Sequence, residues 1–362
     1  MILGRGREPM STATPRSEAV SGFEIVESTH DRDPTWDEFV ERVEWGQYQQ
    51  SSLWARAKAG EGFRSSRWVL RRQGGEIVGG FQVLCRRSRI GLRYGYVSKG
   101  PVRDCAFSAA PFPGLLKQAV RRLGLAVLLV QPPDGDQQLA QALEGAGFFA
   151  TDRFGVITAN LEIDLSLEEA ELMGRMRRHT RQEVRQAFRR GVTIVQGGPA
   201  ELPLFFELMK ATCRRRGVEP RPSSLERLRD YWNVFAAEGK GRLTLARCED
   251  RFVAGLLCLF WGERCSLWKK GWSGEFPERH PTAALYWEAL TCAKARGYSR
   301  ADFGGLARPL AEAILREGKL PEAARRSRDF FNLGFGGTPV LLPLPYAWSP
   351  FFPVCCFLRF VG

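Results

Sequence analysis

The chain repeats itself, and that repeat limits its fold more than any other feature. In the first half Trp68–Arg72 alternates like a strand, Gly74-Gly75 supplies a turn, and Ile77–Arg86 is a second strand carrying Gly79-Gly80. In the second half Leu243–Cys248, Glu249-Asp250 and Phe252–Trp261 with Gly255 spell the same hairpin. A third strand follows each, Arg93–Ser98 in one half and Cys265–Trp272 in the other. Next comes a helix-periodic stretch closed by glycine and feeding an apolar strand. In the first copy these are Pro113–Leu123, Gly124 and Leu125–Val130; in the second, Thr282–Arg296, Gly297 and Tyr298–Phe303. Glycine after a last helical turn is the left-handed cap that stops a helix. Matching glycines lie about 175 residues apart. The repeat predicts an α/β (α+β) chain of two tandem domains, each a mixed twisted sheet flanked by helices.

The expected organisation is a disordered N-terminal extension at 1–22, a first domain at 23–165, a second at 166–330 and a C-terminal segment at 331–362. At roughly 150 residues per domain, 362 residues suit two domains and a tail. With 44% hydrophobic and 26% charged residues, neither a disordered polymer nor a fibre fits. The longest apolar runs, Leu123–Val130 and Phe252–Trp261, fall short of the ~18–20 residues of a spanning helix. No apolar stretch follows the arginines of Met1–Gly22, so the expected location is the cytoplasm. Nine cysteines include no CxxC pair and accompany three histidines. Cys248, Cys258 and Cys292 sit in apolar patterns, which predicts reduced core thiols and no metal site.

The net charge of +13 is concentrated. Arg175–Arg190 carries seven arginines and one acid, Arg214–Arg229 six and two, and Arg325–Arg328 adds three more arginines. Such surplus suits a polyanionic partner: RNA, a nucleotide diphosphate or an anionic lipid surface. A GC-rich genome produces the same bias, since 44 of the 53 cations are arginine. In Leu172–Arg190, Met173, Met176, Thr180, Val184 and Ala187 form an apolar stripe, while Arg178, Arg181, Arg185 and Arg189 line another face. This predicts an amphipathic basic helix opening the second domain.

Two tempting motifs fail on context. Arg121–Ala126 matches the (Q/R)xxGx(G/A) loop that holds the coenzyme A pyrophosphate, but it closes a helix instead of opening one. Asp302-Phe303-Gly304 spells a kinase triplet without the HRD catalytic loop or the glycine-rich loop that belong with it. His179 and His280 each stand alone in sequence, and no Ser–His–Asp order or HExxH site emerges.

The remaining motifs form an ordered set. Gln50-Ser51-Ser52-Leu53-Trp54 with Lys58, Ile77-Val78-Gly79-Gly80, and Tyr96 through Asp104 come first. Arg177–Arg181 leading to Ala187 and Gly191-Val192, Cys213–Val218, Asp302–Gly305 and Phe331–Gly337 follow. Together, from about Gln47 to Val340, they resemble the Fem family, the aminoacyl-tRNA-dependent transferases that build peptidoglycan interpeptide bridges. The resemblance implies two acetyltransferase-like (GNAT) domains and a C-terminal segment that returns to the first. It also implies that the first domain binds an anionic peptidoglycan precursor and the second accommodates the aminoacyl-tRNA end. Two departures stand out: Asn332 occupies the place of a family lysine, and the helical arm some members insert is absent.

The residues themselves give a candidate site. A diphosphate-linked substrate needs cations on a rigid frame. Lys58 lies one helical turn after Trp54, and Lys99 precedes Gly100-Pro101 at a strand end. Asp104 is the candidate catalytic carboxylate for the attacking amine, although aspartate after proline also serves as a turn former. Tyr96, Arg216, Trp268 and Asn332 complete the candidate substrate-binding set, with no resident cofactor. The expected reaction is aminoacyl transfer from aminoacyl-tRNA to an amine of a peptidoglycan precursor. One alternative is an acyl-CoA-dependent N-acyltransferase of cell-envelope or exopolysaccharide synthesis; another is a non-catalytic module binding anionic glycan, lipid or RNA. Trp348, Phe351, Phe352, Phe357 and Phe360, with the basic helix, also suggest peripheral contact with an anionic membrane.

Overall fold

The structure, a computed structural model, describes residues 17–20 (backbone), 22–88, 90–152, 155–326 and 329–351. The first half runs β1 (Ser17–Val20), β2 (Phe23–Ser28), α1 (Pro34–Arg42), α2 (Ser52–Ala59), β3 (Arg64–Arg72), β4 (Ile77–Arg87), β5 (Arg93–Ser98) and the short β6 (Val102–Arg103). It continues through α3 (Phe112–Leu123), β7 (Val127–Gln131), α4 (Gln137–Gly145), β8 (Phe149–Ala150) and β9 (Ala159–Asp164). The second half opens with α5 (Glu169–Arg175), α6 (Arg178–Arg189), β10 (Thr193–Gly197), α7 (Leu202–Arg216) and α8 (Leu225–Ala237). Then come β11 (Gly241–Cys248), β12 (Arg251–Trp261), β13 (Arg264–Trp272), α9 (Pro281–Ala295) and β14 (Arg300–Asp302). The chain finishes with α10 (Arg308–Glu317), α11 (Phe330–Leu333), β15 (Thr338–Leu341) and β16 (Tyr346–Trp348).

Both copies of the repeat form as mixed sheets. The first sheet runs β1-β2-β3-β4-β5-β7-β16-β8, with β6 beside β4. The second runs β10-β11-β12-β13-β14-β9-β15. Each holds one parallel pair at the equivalent place: β5 with β7, from Tyr94↔Val127 to Ser98↔Gln131, and β13 with β14, from Arg264↔Arg300 to Ser266↔Asp302. In each copy a helix, α3 or α9, makes the crossover that a parallel pair requires. Gly124 closes α3 at φ +62.

Strand pairing shifts the boundaries read from the sequence. β9, expected within the first domain, pairs with β14 and β15 in the second sheet, from Leu341↔Ala159 to Thr338↔Glu162. Its Leu161 and Ile163 are buried in the second core. β16 returns to the first sheet between β7 and β8, with Tyr346 opposite both Val130 and Ala150. Ser17–Val20, expected as disordered extension, pair with β2.

The basic helix is also corrected. The chain breaks at Met176–Arg177, where both residues are extended, so α5 and α6 are separate helices. Arg177 N–H donates to Gly334 O at 2.9 Å, and Arg181 Nη1 to Gly174 O at 3.0 Å. These bonds hold the break open. Thr180, Val184 and Ala187 are buried, while Arg178, Arg185 and Arg189 are exposed.

Each sheet covers its own core, around Phe81, Phe112 and Leu128 in one half and Cys258, Tyr286 and Phe303 in the other. A third cluster joins Trp36, Phe39 and Leu53 of the first half to Tyr231, Phe235, Leu259 and Trp261 of the second. Among the described residues no helix is long and apolar enough to cross a membrane. Cys248, Cys258 and Cys265 are buried free thiols, and Cys292 is half-buried. Phe352, Phe357, Phe360 and part of Arg325–Arg328 lie outside the described residues.

Candidate functional site

A cavity of about 370 Å³ opens between the end of β13, the start of α9 and the end of α7. Its position follows from two local features. The first is a β-bulge: the β12–β13 register shifts between Leu257↔Lys269 and Cys258↔Leu267, which leaves Trp268 unpaired. Bulges re-aim side chains beside functional sites. Here Trp268 packs toward α8, while Lys270 projects to the α9 side, 5.2 Å from the Tyr286 ring centre. The second is Gly271, where a Cβ would stand 2.5 Å from Met209 N. Glycine there lets α7 lie directly on the strand.

The walls of the cavity are cationic and its floor aromatic. Arg215 stacks on Trp272 at 4.9 Å and donates to Trp272 O at 2.5 Å and Ser273 O at 2.7 Å. Burial, and then the neighbouring Arg216 and Arg214 charges, lower its pKa. Arg216 and Asn332 both line the cavity, with Lys270, Tyr286 and Phe331. His280 Nδ1 stands 3.6 Å from Glu183 Oε1 and occupies the left-handed region at φ +51. A cation-rich wall around aromatic rings suits a phosphate attached to a planar base.

A second group of charges sits where the two halves meet. Lys58 of α2 pairs with Glu61 at 2.8 Å, and the Tyr231 hydroxyl of α8 donates to the same carboxylate. Burial would raise the Glu61 pKa, but the Lys58 and Tyr231 hydrogen bonds hold it below its ordinary value. Trp54 lies 5.3 Å from Tyr231 and 6.2 Å from Trp268, and Tyr231 lies 4.6 Å from Trp268. Lys58 Nζ is 5.2 Å from the Trp54 ring centre. Lys269 joins from the bulge. Burial, followed by the Lys58 charge, brings its pKa down to about 8.

Lys99 and Tyr96 belong to a third, more enclosed network. Lys99 is held at φ +53 and its ammonium meets Asp134 at 2.5 Å. Gln47 donates to Asp134 at 2.8 Å, and Arg264 of the second half approaches it at 3.7 Å. Burial would raise the Asp134 carboxyl, yet Lys99 and Arg264 hold it low. The Lys99 ammonium is therefore already paired in an enclosed network that reaches Arg264 of the second half through Asp134. The Tyr96 hydroxyl donates to Gln131 at 3.3 Å, and burial pushes its pKa up to about 12.

Asp104 stands apart from all three groups. Its Oδ1 accepts the Ala106 N–H at 2.9 Å in an exposed turn, and it does not line the cavity. This is the turn-forming role, and the structure does not bring Asp104 to the cavity. The structure gathers Trp54, Lys58 and Trp268 into one cluster and Arg216 and Asn332 into the cavity. Sequence reasoning missed Glu61, Tyr231, Lys269, Lys270, Glu183 and His280. Lys269-Lys270, two adjacent lysines among nine, were the available signal.

Comparison with known proteins places this geometry. Residues 174–311, within the second half, match the family model described as Acetyltransferase (GNAT) domain, which supports an acyltransferase. FemX superposes with a TM-score of 0.77 at 17% identity, covering 93% of this chain and 100% of that one. A tandem GNAT protein from the clavulanic acid biosynthesis pathway gives 0.54 at 11% identity, with 90% and 98% covered. L-PGS from Bacillus licheniformis gives 0.53 at 14%, with 92% and 97% covered. At these identities the likeness is one of fold: two tandem GNAT-like domains arranged as in FemX. No curated protein matches the chain.

Proposed function

We propose that this GNAT-type acyltransferase moves an aminoacyl group from aminoacyl-tRNA to an amine of a peptidoglycan precursor. The observation that carries the reading is the continuity between cavity and basic surface. α6 packs against α9 and the turn Pro277–Arg279, and supplies Glu183 to the cavity wall. Arg190, just past α6, donates to Glu278 O beside the cavity-lining Pro277 and adds to the cationic rim of Arg215 and Arg216, while the exposed Arg178, Arg185 and Arg189 carry the basic surface onto the outer face of the helix. A coenzyme needs cations for a few phosphates, whereas a nucleic acid uses a tract of them. The loop from β13 to α9 also favours tRNA over acyl-CoA. Pro277 and Pro281 stand where a pyrophosphate loop would present amides, and proline has no N–H.

In this reading the acceptor's phosphate groups lie against Lys58 and Lys269, and the aminoacyl ester enters the cavity. The acceptor nitrogen attacks the ester carbonyl, the bond to the ribose oxygen breaks, and an amide forms without an enzyme-bound intermediate. Of the groups lining the cavity, Glu183 and His280 are suited to take the proton released by the amine. Asn332 offers an uncharged amide donor to the developing oxyanion in place of the family lysine. Positioning and charge neutralisation supply much of the rate.

The test offers labelled aminoacyl-tRNA and labelled acyl-CoA separately, each with a muropeptide acceptor. Acceptor-dependent discharge of the tRNA supports the proposal. Transfer from acyl-CoA alone overturns the tRNA donor. Discharge of neither, with anionic glycan still bound, marks a non-catalytic module.

A further inference from the structure

We propose that the tip of the β4–β5 hairpin docks this protein on an anionic membrane and sets the acceptor cluster at the lipid headgroups. The tip closes through Ser88 N–H to Leu92 O at 2.8 Å and Gly91 N–H to Ser88 O at 3.0 Å. It carries two of the most exposed large apolar side chains among the described residues, Ile90 at 81% and Leu92 at 50%. Cations surround them. Arg86, Arg87 and Arg93 are exposed on the same two strands, and Arg121 is exposed at the end of α3. Arg93 reaches that helix end, donating to Leu123 O at 3.3 Å. Among the described residues no carboxylate forms an ion pair with any of these four.

Exposed aliphatic side chains inside a ring of arginines match one chemistry. The apolar tip enters the acyl boundary, and the guanidinium groups meet lipid phosphates. Nucleic acid accounts for the arginines but gives Ile90 and Leu92 no partner. The position of the tip adds the functional link. Arg86 Cζ and Lys58 Nζ each lie 5.6 Å from the centre of the Phe63 ring. One aromatic ring therefore connects the membrane-facing arginines to the Lys58–Glu61–Tyr231 cluster. Resting on the functional reading above, this makes the acceptor a lipid-linked precursor, whose phosphate-bearing head would meet Lys58 as the tip meets the bilayer.

Flotation of the full chain with vesicles tests the docking without using activity. Vesicles of phosphatidylcholine with 30% phosphatidylglycerol are compared at low salt with pure phosphatidylcholine. Each basic side chain contributes about fivefold near an anionic leaflet. Arg86→Gln, Arg87→Gln and Arg93→Gln together should lower partitioning roughly 100-fold. Ile90→Ser with Leu92→Ser should lower it tenfold or more while leaving discharge of aminoacyl-tRNA to a water-soluble acceptor unchanged. An α6 variant, Arg178→Gln with Arg185→Gln and Arg189→Gln, should float like the parent. Absence of binding to anionic vesicles, or parental binding by both hairpin variants, overturns the proposal. So does a hairpin variant that loses tRNA binding and keeps vesicle binding. Flotation needs neither donor nor acceptor, so it reports on docking even if the aminoacyl-tRNA reading fails.

Discussion

Replacing Gly336 by alanine tests whether the Phe331–Gly337 motif is a backbone device that shapes the cavity. Gly336 has φ +79, and a Cβ there would stand 2.4 Å from Arg175 O and 2.6 Å from Arg175 C. The left-handed conformation alone costs an alanine about 1–2 kcal/mol. The clash adds about 1–3 kcal/mol, because its partner is backbone at the α5–α6 break and cannot rotate away. Gly304→Ala is the matched control: φ is +71, and no atom lies within 4 Å of the added Cβ. Its cost should be the conformational one only, about 1–2 kcal/mol. The expected difference is about 2 kcal/mol, read from urea unfolding midpoints at unchanged slope. Gly336→Ala should also lower transfer activity, since Phe335 packs on Phe331 at 5.4 Å and Tyr286 at 5.5 Å, and both of those line the cavity. Equal destabilisation by the two variants, to within about 0.5 kcal/mol, would refute the steric argument.

Further outcomes follow from the geometry. Asp136→Ala strands Arg103, whose guanidinium meets that carboxylate at 2.9 Å with both side chains 1% exposed; the loss should be about 3–5 kcal/mol in urea unfolding, and a loss below about 1 would contradict a buried pair. Lys269, with its pKa near 8, should lose charge as pH rises from 7 to 9, so phosphate-bearing acceptors should bind more weakly at pH 9. The folded pKa is depressed, so the unfolded chain binds more protons between about 8 and 10.5 and this group's contribution to stability rises with pH across that window. Lys58→Met should raise the Lys269 pKa, and a titration by NMR that shows no upward movement would deny their coupling. Arg215→Gln with Arg216→Gln should raise the KM for charged tRNA and flatten its salt dependence by about two phosphate contacts; an unchanged salt slope would remove the donor from this cavity.

The sequence displayed what is local and hid what is assembled over distance. Hairpins, the caps at Gly124 and Gly297, and the crossover helices each occupy a short continuous stretch, so their patterns stand out twice. The bulge at Trp268 leaves no such pattern: Cys265–Trp272 reads as an ordinary strand, and the shift is set by packing against α7 and α8. With the register hidden, the opposite destinations of Lys269 and Lys270 were hidden too. His280 looked solitary because its partner Glu183 is nearly 100 residues away on α6. Asp104 carried two readings in the sequence, and the structure supports the turn. Its neighbourhood after Pro101 announced a turn, and the turn accounts for the carboxylate's hydrogen bond.

The placement of β9 and β16 explains why the repeat could be read while the domain boundaries could not. β9 has the composition of any half-buried strand, and nothing within Ala159–Asp164 says which sheet it enters. Its destination is decided by vacancy. β5 and β7 are parallel neighbours, so the far side of β7 is an open edge, and in the second sheet the far side of β14 is open in the same way. Each half fills that edge with chain from beyond its own repeat: β9 enters beside β14, and β16 travels back to lie beside β7. An open edge beside a parallel core pair is a pairing hazard, and covering it removes the hazard. The second sheet is complete within the continuous stretch β9–β15, whereas the first is finished only when β16 returns from beyond it, and that return draws the halves together. That proximity places Trp54 and Lys58 of one copy against Tyr231, Trp268 and Lys269 of the other. The cluster proposed to hold the acceptor thus depends on the two halves being held together, and a cut at residue 165 would divide it.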